Sequence, residues 1–327
     1  MSEVLALKHR PSDFSEVVGQ EGIIKQIKSA LDKGILGHAL LFSGTRGTGK
    51  TTTARIVARY LNPQVELKSL ALLVAEVDAA SNTGVDDVRQ LLENIRYAAQ
   101  GHRVLILDEC HQLSKAAFNA LLKSLEEPPA NTTFILITTE PNKVPPTVRS
   151  RCQIYEFKDV ELETLKQHYQ VVANKENLKL SQEQLEEVAL KAEGSVRDGL
   201  SLLQKYLAGE EVVVNSSLYF DLVGSIYNND TVKALELVSQ IRKSEEARTI
   251  IQTLEKWFYW SSLEFFGLKT PIREFFGTGA AQHFDLKKLQ DLFSSCLQIE
   301  RDLTATPNSK IVLEMGILKL SQVGYNG

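Results

Sequence analysis

Cysteine is scarce in this chain of 327 residues: Cys110, Cys152 and Cys296 are the only three, and they lie far apart. An odd, dispersed set supplies neither a disulfide framework nor the paired spacing of a metal site. A reducing compartment is the simplest reading, and the cytoplasm is the expected location. Long apolar runs are missing as well. None approaches the roughly 20 residues that a helix needs to cross a bilayer, and the N-terminal MSEVLALKHRPSDF has no apolar core of a signal peptide. No membrane partner is expected. There is no excess of basic charge: 37 Lys and Arg against 41 Asp and Glu leave a net charge of −4. That excludes a uniformly basic nucleic-acid coat, though not a local basic surface. Repeats and low-complexity tails are also lacking. What remains is ordinary for a globular protein, with 43% hydrophobic and 24% charged residues, which excludes a disordered chain or a collagen. At about 150 residues per domain, the length suggests two or three domains.

The first half alternates short apolar runs, at residues 39–42, 72–77, 104–107, 134–137 and 154–157, with helical patterns at 51–61, 86–97 and 116–125. The runs are strand-length and do not alternate with polar residues, as expected of strands buried on both faces. This rhythm predicts a parallel sheet covered by helices. After Phe157 the strands nearly stop. Leu162, Leu165, Tyr169 and Val172 share a helical face, and Ser181 with Gln184 resembles a capping box before Leu185, Val188, Ala189 and Ala192. Gly194-Ser195 breaks that helix and starts another carrying Val196, Leu200, Leu203 and Leu207. Residues 208–215 read as a linker, with 212–214 as a possible short extended piece. Beyond them, Ala247, Ile250, Ile251, Leu254, Trp257 and Phe258 form one helical stripe, and Leu286, Leu289, Phe293, Cys296 and Leu303 another.

Gly44-Thr45-Arg46-Gly47-Thr48-Gly49-Lys50-Thr51 fits G-x-x-x-x-G-K-[ST], after a predicted strand and opening a predicted helix that continues through Thr52. Glycines at these positions let backbone N–H groups wrap phosphates, and the helix N-terminus favours an anion. Lys50 should reach the β and γ phosphates, and the Thr51 hydroxyl should ligate Mg²⁺. Val104-Leu105-Ile106-Leu107-Asp108-Glu109 is an apolar strand ending in two carboxylates, and strand ends face the ligand crevice of such sheets. Asp108 can hold Mg²⁺ and Glu109 can act as general base toward water. Cys110-His111 follows at once. Adjacent residues do not easily share one zinc and two further ligands are missing, so Cys110 is expected to be a packed thiol. Thr138 and Thr139 end the next strand, where a hydroxyl can sense a γ phosphate or simply cap the strand. Arg151, after a proline-rich turn, matters only if it meets a neighbouring subunit's nucleotide. Arg197, at a helix start, opposes the macrodipole; it is either an ordinary surface arginine or placed for a phosphate.

Together these residues resemble the bacterial DNA polymerase III gamma/tau subunits, members of the AAA+ clamp-loader ATPases. The resemblance is carried by Lys8-His9-Arg10-Pro11, Val17-Val18-Gly19-Gln20, the run from His38 through Thr51, and Glu76-Val77-Asp78-Ala79-Ala80-Ser81. It continues through the stretch from Phe118 to Pro129, Ser150-Arg151-Cys152 and Gly194-Ser195-Val196-Arg197-Asp198. It is dense over residues 1–205 and weak beyond, where Val312-Leu313-Glu314-Met315 and helical character are all that match. It implies an α/β architecture: an AAA+ P-loop domain with a parallel sheet over 1–159, a three-helix lid over 160–209, and an all-α collar over 210–327 for oligomerisation. It implies ATP and Mg²⁺ as cofactors. The implied partners are other clamp-loader subunits in a pentameric ring, a sliding clamp and primer–template DNA. By motif, Thr139 matches a first sensor, Arg197 a second sensor acting in cis, and Arg151 an arginine finger acting in trans. Arg10, Pro11 and Val18 match the adenine side. The family's four-cysteine zinc module has no counterpart in residues 62–75, so no zinc is expected. Ending soon after the expected collar, the chain is expected to lack the long extension of tau-type forms and to resemble the short gamma form or a reduced version from a phage or compact genome.

Two rival readings differ in class. A non-hydrolysing delta-prime-like subunit would tend to lose the Lys50 or Asp108-Glu109 residues, which are intact. A helicase of the Asp-Glu-x-His type needs a second strand-rich domain, whereas residues 215–327 read as helices.

Overall fold

The computed structural model describes residues 4–81, 84–96, 101–208, 216–242, 245–268, 270, 272, 284–306 and 308–324. They divide into two compact units, Met1–Glu210 and Glu211–Gly327. The first unit opens with α1 (Leu5–Lys8), α2 (Glu21–Asp32), β1 (Ala39–Gly44), α3 (Lys50–Tyr60), α4 (Leu67–Leu70) and β2 (Val74–Asp78). It continues with α5 (Val85–Arg96), β3 (Arg103–Asp108), α6 (Lys115–Glu126), β4 (Thr132–Thr138), α7 (Pro146–Arg149) and β5 (Gln153–Phe157). The helices α8 (Leu162–Lys175), α9 (Gln182–Ala192) and α10 (Val196–Leu207) complete it.

The five strands are all parallel, in the order β2-β3-β4-β1-β5. Alternate residues of a strand point to opposite faces. Leu41, Leu105, Leu107 and Leu136 therefore pack into one core with residues of α5 and α6. Leu40, Phe42, Ile106, Ile135 and Ile137 pack into a second core with α2 and α3. Burying each such side chain contributes about 1.5–3 kcal/mol, and truncating one, as in Ile106→Ala, costs about 2–5 kcal/mol. The prediction of strands buried on both faces holds for β1, β3 and β4. It fails for β2 and β5, because these are the sheet edges: Ile154 on β5 is 53% exposed. The second predicted run also starts too early. Leu72 belongs to the turn before β2 and is exposed.

Helices α8, α9 and α10 enclose Leu165, Tyr169, Val188, Leu200 and Leu203. The predicted capping box is present: the Gln184 N–H donates to Ser181 Oγ at 3.2 Å, and the Ser181 N–H donates to Gln184 Oε1 at 2.8 Å. Glu193 and Gly194 take positive φ and end α9, and Ser195 caps α10 by accepting from the Asp198 N–H. Gly199 is required inside α10 because a Cβ there would strike the Tyr169 phenol, whose hydroxyl donates to Ser195 O at 3.0 Å. The chain's beginning joins this cluster. Leu5 is buried in it, and the Leu5 N–H donates to Gln204 Oε1 at 2.8 Å. Farther along, the Gln20 amide donates to Lys158 O at 2.6 Å and accepts from Lys158 N at 3.2 Å.

The second unit consists, among the described residues, of α11 (Ser216–Tyr227), α12 (Thr231–Ile241), α13 (Ala247–Phe265), α14 (Leu286–Ala305) and α15 (Ser309–Leu320). The predicted stripe on α13 is buried throughout. On α14, Leu289 and Cys296 lie in the core and Phe293 and Leu303 pack against it. The predicted linker's residues 209–215, with the extended piece at 212–214, lie outside the described residues. Among the described residues no helix is long and apolar enough to cross a membrane.

Candidate functional site

β1 ends at Gly44, with φ +135°, where a Cβ would strike the Phe157 carbonyl on β5. Gly47 and Gly49 also take positive φ, +78° and +99°, which only glycine adopts without strain. Gly49 then caps α3, so the loop delivers its backbone to a helix N-terminus. The buried Lys50 ammonium folds back and donates to Gly44 O at 2.9 Å and Thr45 O at 2.6 Å. Burial lowers its pKa, while Glu109, Asp108 and Asp159 oppose that shift.

One residue on, the Thr51 hydroxyl donates to Asp108 Oδ2 at 2.6 Å. This brings a P-loop oxygen and a strand-end carboxylate together, two hard oxygen donors of the kind Mg²⁺ takes. Asp108 Oδ1 accepts from the Glu109 N–H at 2.9 Å. Glu109 itself has φ +47°, uncommon for a residue with a side chain. Its Oε2 accepts from Thr139 Oγ1 at 3.2 Å.

Lys50, Thr51, Asp108 and Glu109 border a cleft of about 430 Å³. Its lining takes in Arg46 through Thr52, Asp108 and Glu109, with Arg10, Pro11 and Val18 from the N-terminal segment and Arg197 from α10. Gly47 packs so closely on Ser195 that a Cβ would overlap its hydroxyl, so the P-loop touches the start of α10. Arg10 has a lowered pKa through burial and through Arg55 and Arg197, with Glu76 opposing.

Some predicted residues stand off the cleft. Gly44 and Thr45 do not line it; their carbonyls hold Lys50, and the Thr45 hydroxyl bonds Asp159. Thr139 lies just past β4, behind Glu109. Arg151 is on the surface, paired with Glu126 and donating to Thr147 O at 2.6 Å. Sequence reasoning missed Leu7, His9, Val17, His168, Leu200 and Ser201 as lining residues. Leu200 belongs to the lid core, as its helical face predicts, and reaches the cleft as well, and His168 stands beside Tyr169 with no motif to mark it.

Cys110 is buried and its thiol is pushed well up by burial; Cys152 is raised to about 11 by the same cause. Among the described residues no group of three or more His, Cys, Asp or Glu is arranged to hold a metal. Ser114 caps α6 by accepting from the Ala117 N–H at 3.1 Å.

Residues 19–161 match the family described as DNA polymerase III, delta subunit, and residues 164–208 match that of the DNA polymerase III clamp loader subunit, ATPase lid domain. The DNA polymerase III subunit gamma of Buchnera aphidicola subsp. Acyrthosiphon pisum is 31% identical over 97% of this chain and 98% of its own. The subunit tau of Escherichia coli is 35% identical over 80% of this chain, and the match covers 43% of tau. For the tau/gamma subunit of Haemophilus influenzae the identity is 33% over 97% of this chain and 51% of that protein. The chain thus spans about half the length of several relatives and nearly all of the Buchnera one. The structure of the Thermotoga maritima RuvB Holliday junction branch migration motor overlays with a TM-score of 0.52 at 19% identity, covering 83% of this chain and 88% of that one. That likeness is one of fold, the AAA+ architecture. The P-loop, the paired strand-end carboxylates, the lid and the full-length Buchnera match together place this chain in the DNA polymerase III gamma/tau family of AAA+ proteins.

Proposed function

We propose that the chain is an ATP-hydrolysing motor subunit of a clamp loader, which opens a sliding clamp and loads it at primer–template junctions in the cytoplasm. The observation that carries this reading is the convergence of Lys50, Thr51, Asp108, Glu109 and Arg197 on one cleft. In this reading residues 1–159 form the ATPase domain, 160–209 the lid, and 210–327 a collar holding a pentameric ring of clamp-loader subunits. The P-loop from Gly44 to Thr52 cradles the phosphates, with Lys50 countering their charge and Arg10, Pro11 and Val18 flanking the adenine. Thr51 and Asp108 are the residues that would hold Mg²⁺, which when bound offsets charge on the phosphate oxygens. Glu109 takes a proton from the attacking water as its oxygen bonds the γ phosphorus and ADP leaves. Thr139 orients Glu109, and Arg197 contacts the γ phosphate in cis. Arg151 reaches a neighbouring subunit's ATP, so the isolated chain is a poor ATPase. The chain folds without zinc, and one zinc per purified chain by elemental analysis would overturn that. The test of function is ATP hydrolysis measured with candidate sliding clamps and primed DNA added singly and together. Stimulation by both supports the reading, and a rate indifferent to either refutes it.

A further inference from the structure

His111 follows Asp108-Glu109-Cys110 and takes no part in the cleft lining. Its side chain is nonetheless 5% exposed and sits between two carboxylates. Nδ1 lies 3.3 Å from Glu109 Oε2 and 3.1 Å from Thr138 Oγ1. Nε2 lies 3.0 Å from the Gln112 amide nitrogen and 3.3 Å from Glu140 Oε1. A neutral imidazole carries one N–H and one acceptor nitrogen. The Gln112 amide nitrogen can only donate and stands in hydrogen-bond geometry with Nε2, whereas Glu140 Oε1 is within ion-pair distance but not hydrogen-bonded, so His111 Nε2 accepts from Gln112. The ring proton is then on Nδ1, directed at Thr138 Oγ1 with Glu109 Oε2 3.3 Å from the nitrogen; which nitrogen is protonated is set by what the other one meets. Thr138 is held in place in turn, accepting from the Glu140 N–H at 2.9 Å. Glu109 Oε2 is thus approached from two sides, by Thr139 Oγ1 at 3.2 Å and by His111. Its backbone has φ +47°, a region that persists only with outside support.

We infer that His111 is a positioning residue: its Nδ1–H, bonded to Thr138 Oγ1 and with Glu109 Oε2 3.3 Å from the nitrogen, holds the Glu109 carboxylate in place by electrostatic attraction, and Gln112 at Nε2 keeps the ring proton on that side. The inference rests on the reading of Glu109 as the base toward water. It acts on ATP through Glu109 alone, so it governs the rate of the chemical step and not nucleotide affinity.

Isosteric amides separate this role from space-filling. An asparagine amide nitrogen falls near the place of Nδ1, and a glutamine amide nitrogen near that of Nε2. With the full chain in excess over radiolabelled ATP, single-turnover hydrolysis should stay within a few-fold of wild type in His111→Asn. It should fall about 10–100-fold in His111→Gln and His111→Phe, a part of the roughly 10²–10⁴ that a positioned base supplies. Affinity for ATP should be unchanged in all three. In ¹⁵N-histidine spectra of the wild-type chain, the resonance that vanishes in His111→Asn should show the Nδ1–H tautomer. A wild-type rate in His111→Phe, a His111→Asn rate as low as that of His111→Phe, or an Nε2–H tautomer would overturn the inference. If His111→Phe fails to fold, the two amide variants and the spectrum still decide. Glu109→Gln in the same assay separates the two levels. If it keeps the wild-type rate, the base assignment falls and this inference with it. If it is inactive while His111→Phe is active, only the positioning role falls.

Discussion

The Thr51 hydroxyl and the Asp108 carboxylate meet at 2.6 Å, tying the first turn of α3 to the end of β3. If this pair holds Mg²⁺, Thr51→Val keeps the shape and removes one oxygen. ATP affinity in the presence of Mg²⁺ should then weaken at least tenfold, within the roughly 10–100-fold that supporting groups of metal sites are worth. Affinity in excess EDTA should hardly change. Nucleotide titrations under the two conditions check this, and equal losses in both would rule out the metal role.

Lys50 and Glu109 should separate binding from chemistry. Lys50→Ala removes the main point charge facing the phosphates and should abolish ATP binding at micromolar nucleotide. Glu109→Gln should bind ATP normally and hydrolyse it about 10²-fold or more slowly. Wild-type affinity in Lys50→Ala would sink the P-loop assignment.

Arg151 is built into its own surface by Glu126 and Thr147, away from the cleft of its own chain. Arg151→Ala should therefore leave the isolated chain's ATP affinity unchanged. In an assembled ring it should lose clamp- and DNA-stimulated hydrolysis, by a factor on the order of 10³–10⁵ as for other arginine fingers. Rings mixed from Arg151→Ala and Glu109→Gln chains should recover part of that activity, because some interfaces pair two wild-type groups. Loss of ATP binding by the Arg151→Ala monomer would show that the residue acts in cis.

Gly199→Ala tests packing rather than chemistry. The added methyl meets the Tyr169 phenol inside a closed helical core. Destabilisation of about 1–3 kcal/mol is expected for such overpacking, read as a lowered midpoint of thermal unfolding.

His168 should shape the acid side of stability. Its Nε2 is buried without a hydrogen-bond partner, and burial, helped by His9 and Lys175, lowers its pKa. The unfolded chain titrates this group near about pH 6.5. Below that pH the unfolded state takes the proton first, so stability falls as pH drops from about 6.5 toward the lower folded value. Above that pH it does not change on this account. Denaturant unfolding from pH 5 to 8 should show His168→Phe losing part of this slope; an unchanged slope would contradict the assignment.

The parts of the fold legible in sequence are those coded locally. The P-loop has fixed spacing, β1, β3 and β4 are unbroken apolar runs, and Ser181 with Gln184 is a complete cap within four residues. Helix α15 lies in a stretch read as helical but shows no stripe, because it is apolar nearly all round: Leu313, Ile317 and Leu320 are buried while Ile311 and Met315 are exposed. Leu72 misled because an apolar residue can sit in a turn. Other features depend on contacts between distant residues. The need for Gly199 comes from Tyr169, thirty positions earlier. The placement of Arg151 comes from Glu126, and that of His111 between Glu109 and Glu140 comes from how β3 and β4 align. No local pattern announces such pairings.

Because Leu5 is packed among α8, α9 and α10 while α2 belongs to the sheet, the polypeptide passes between these two bodies twice, once before Gln20 and once near Lys158. The Gln20 amide stitches the two passages side by side. A single covalent strand is a swivel, free to twist in any direction. Two strands fastened together form a strap, which bends readily about one line and resists torsion. The helical cluster should therefore rock over the cleft along one path, carrying Arg197 from α10 and Arg10 from the N-terminal segment toward or away from Lys50 in a single stroke.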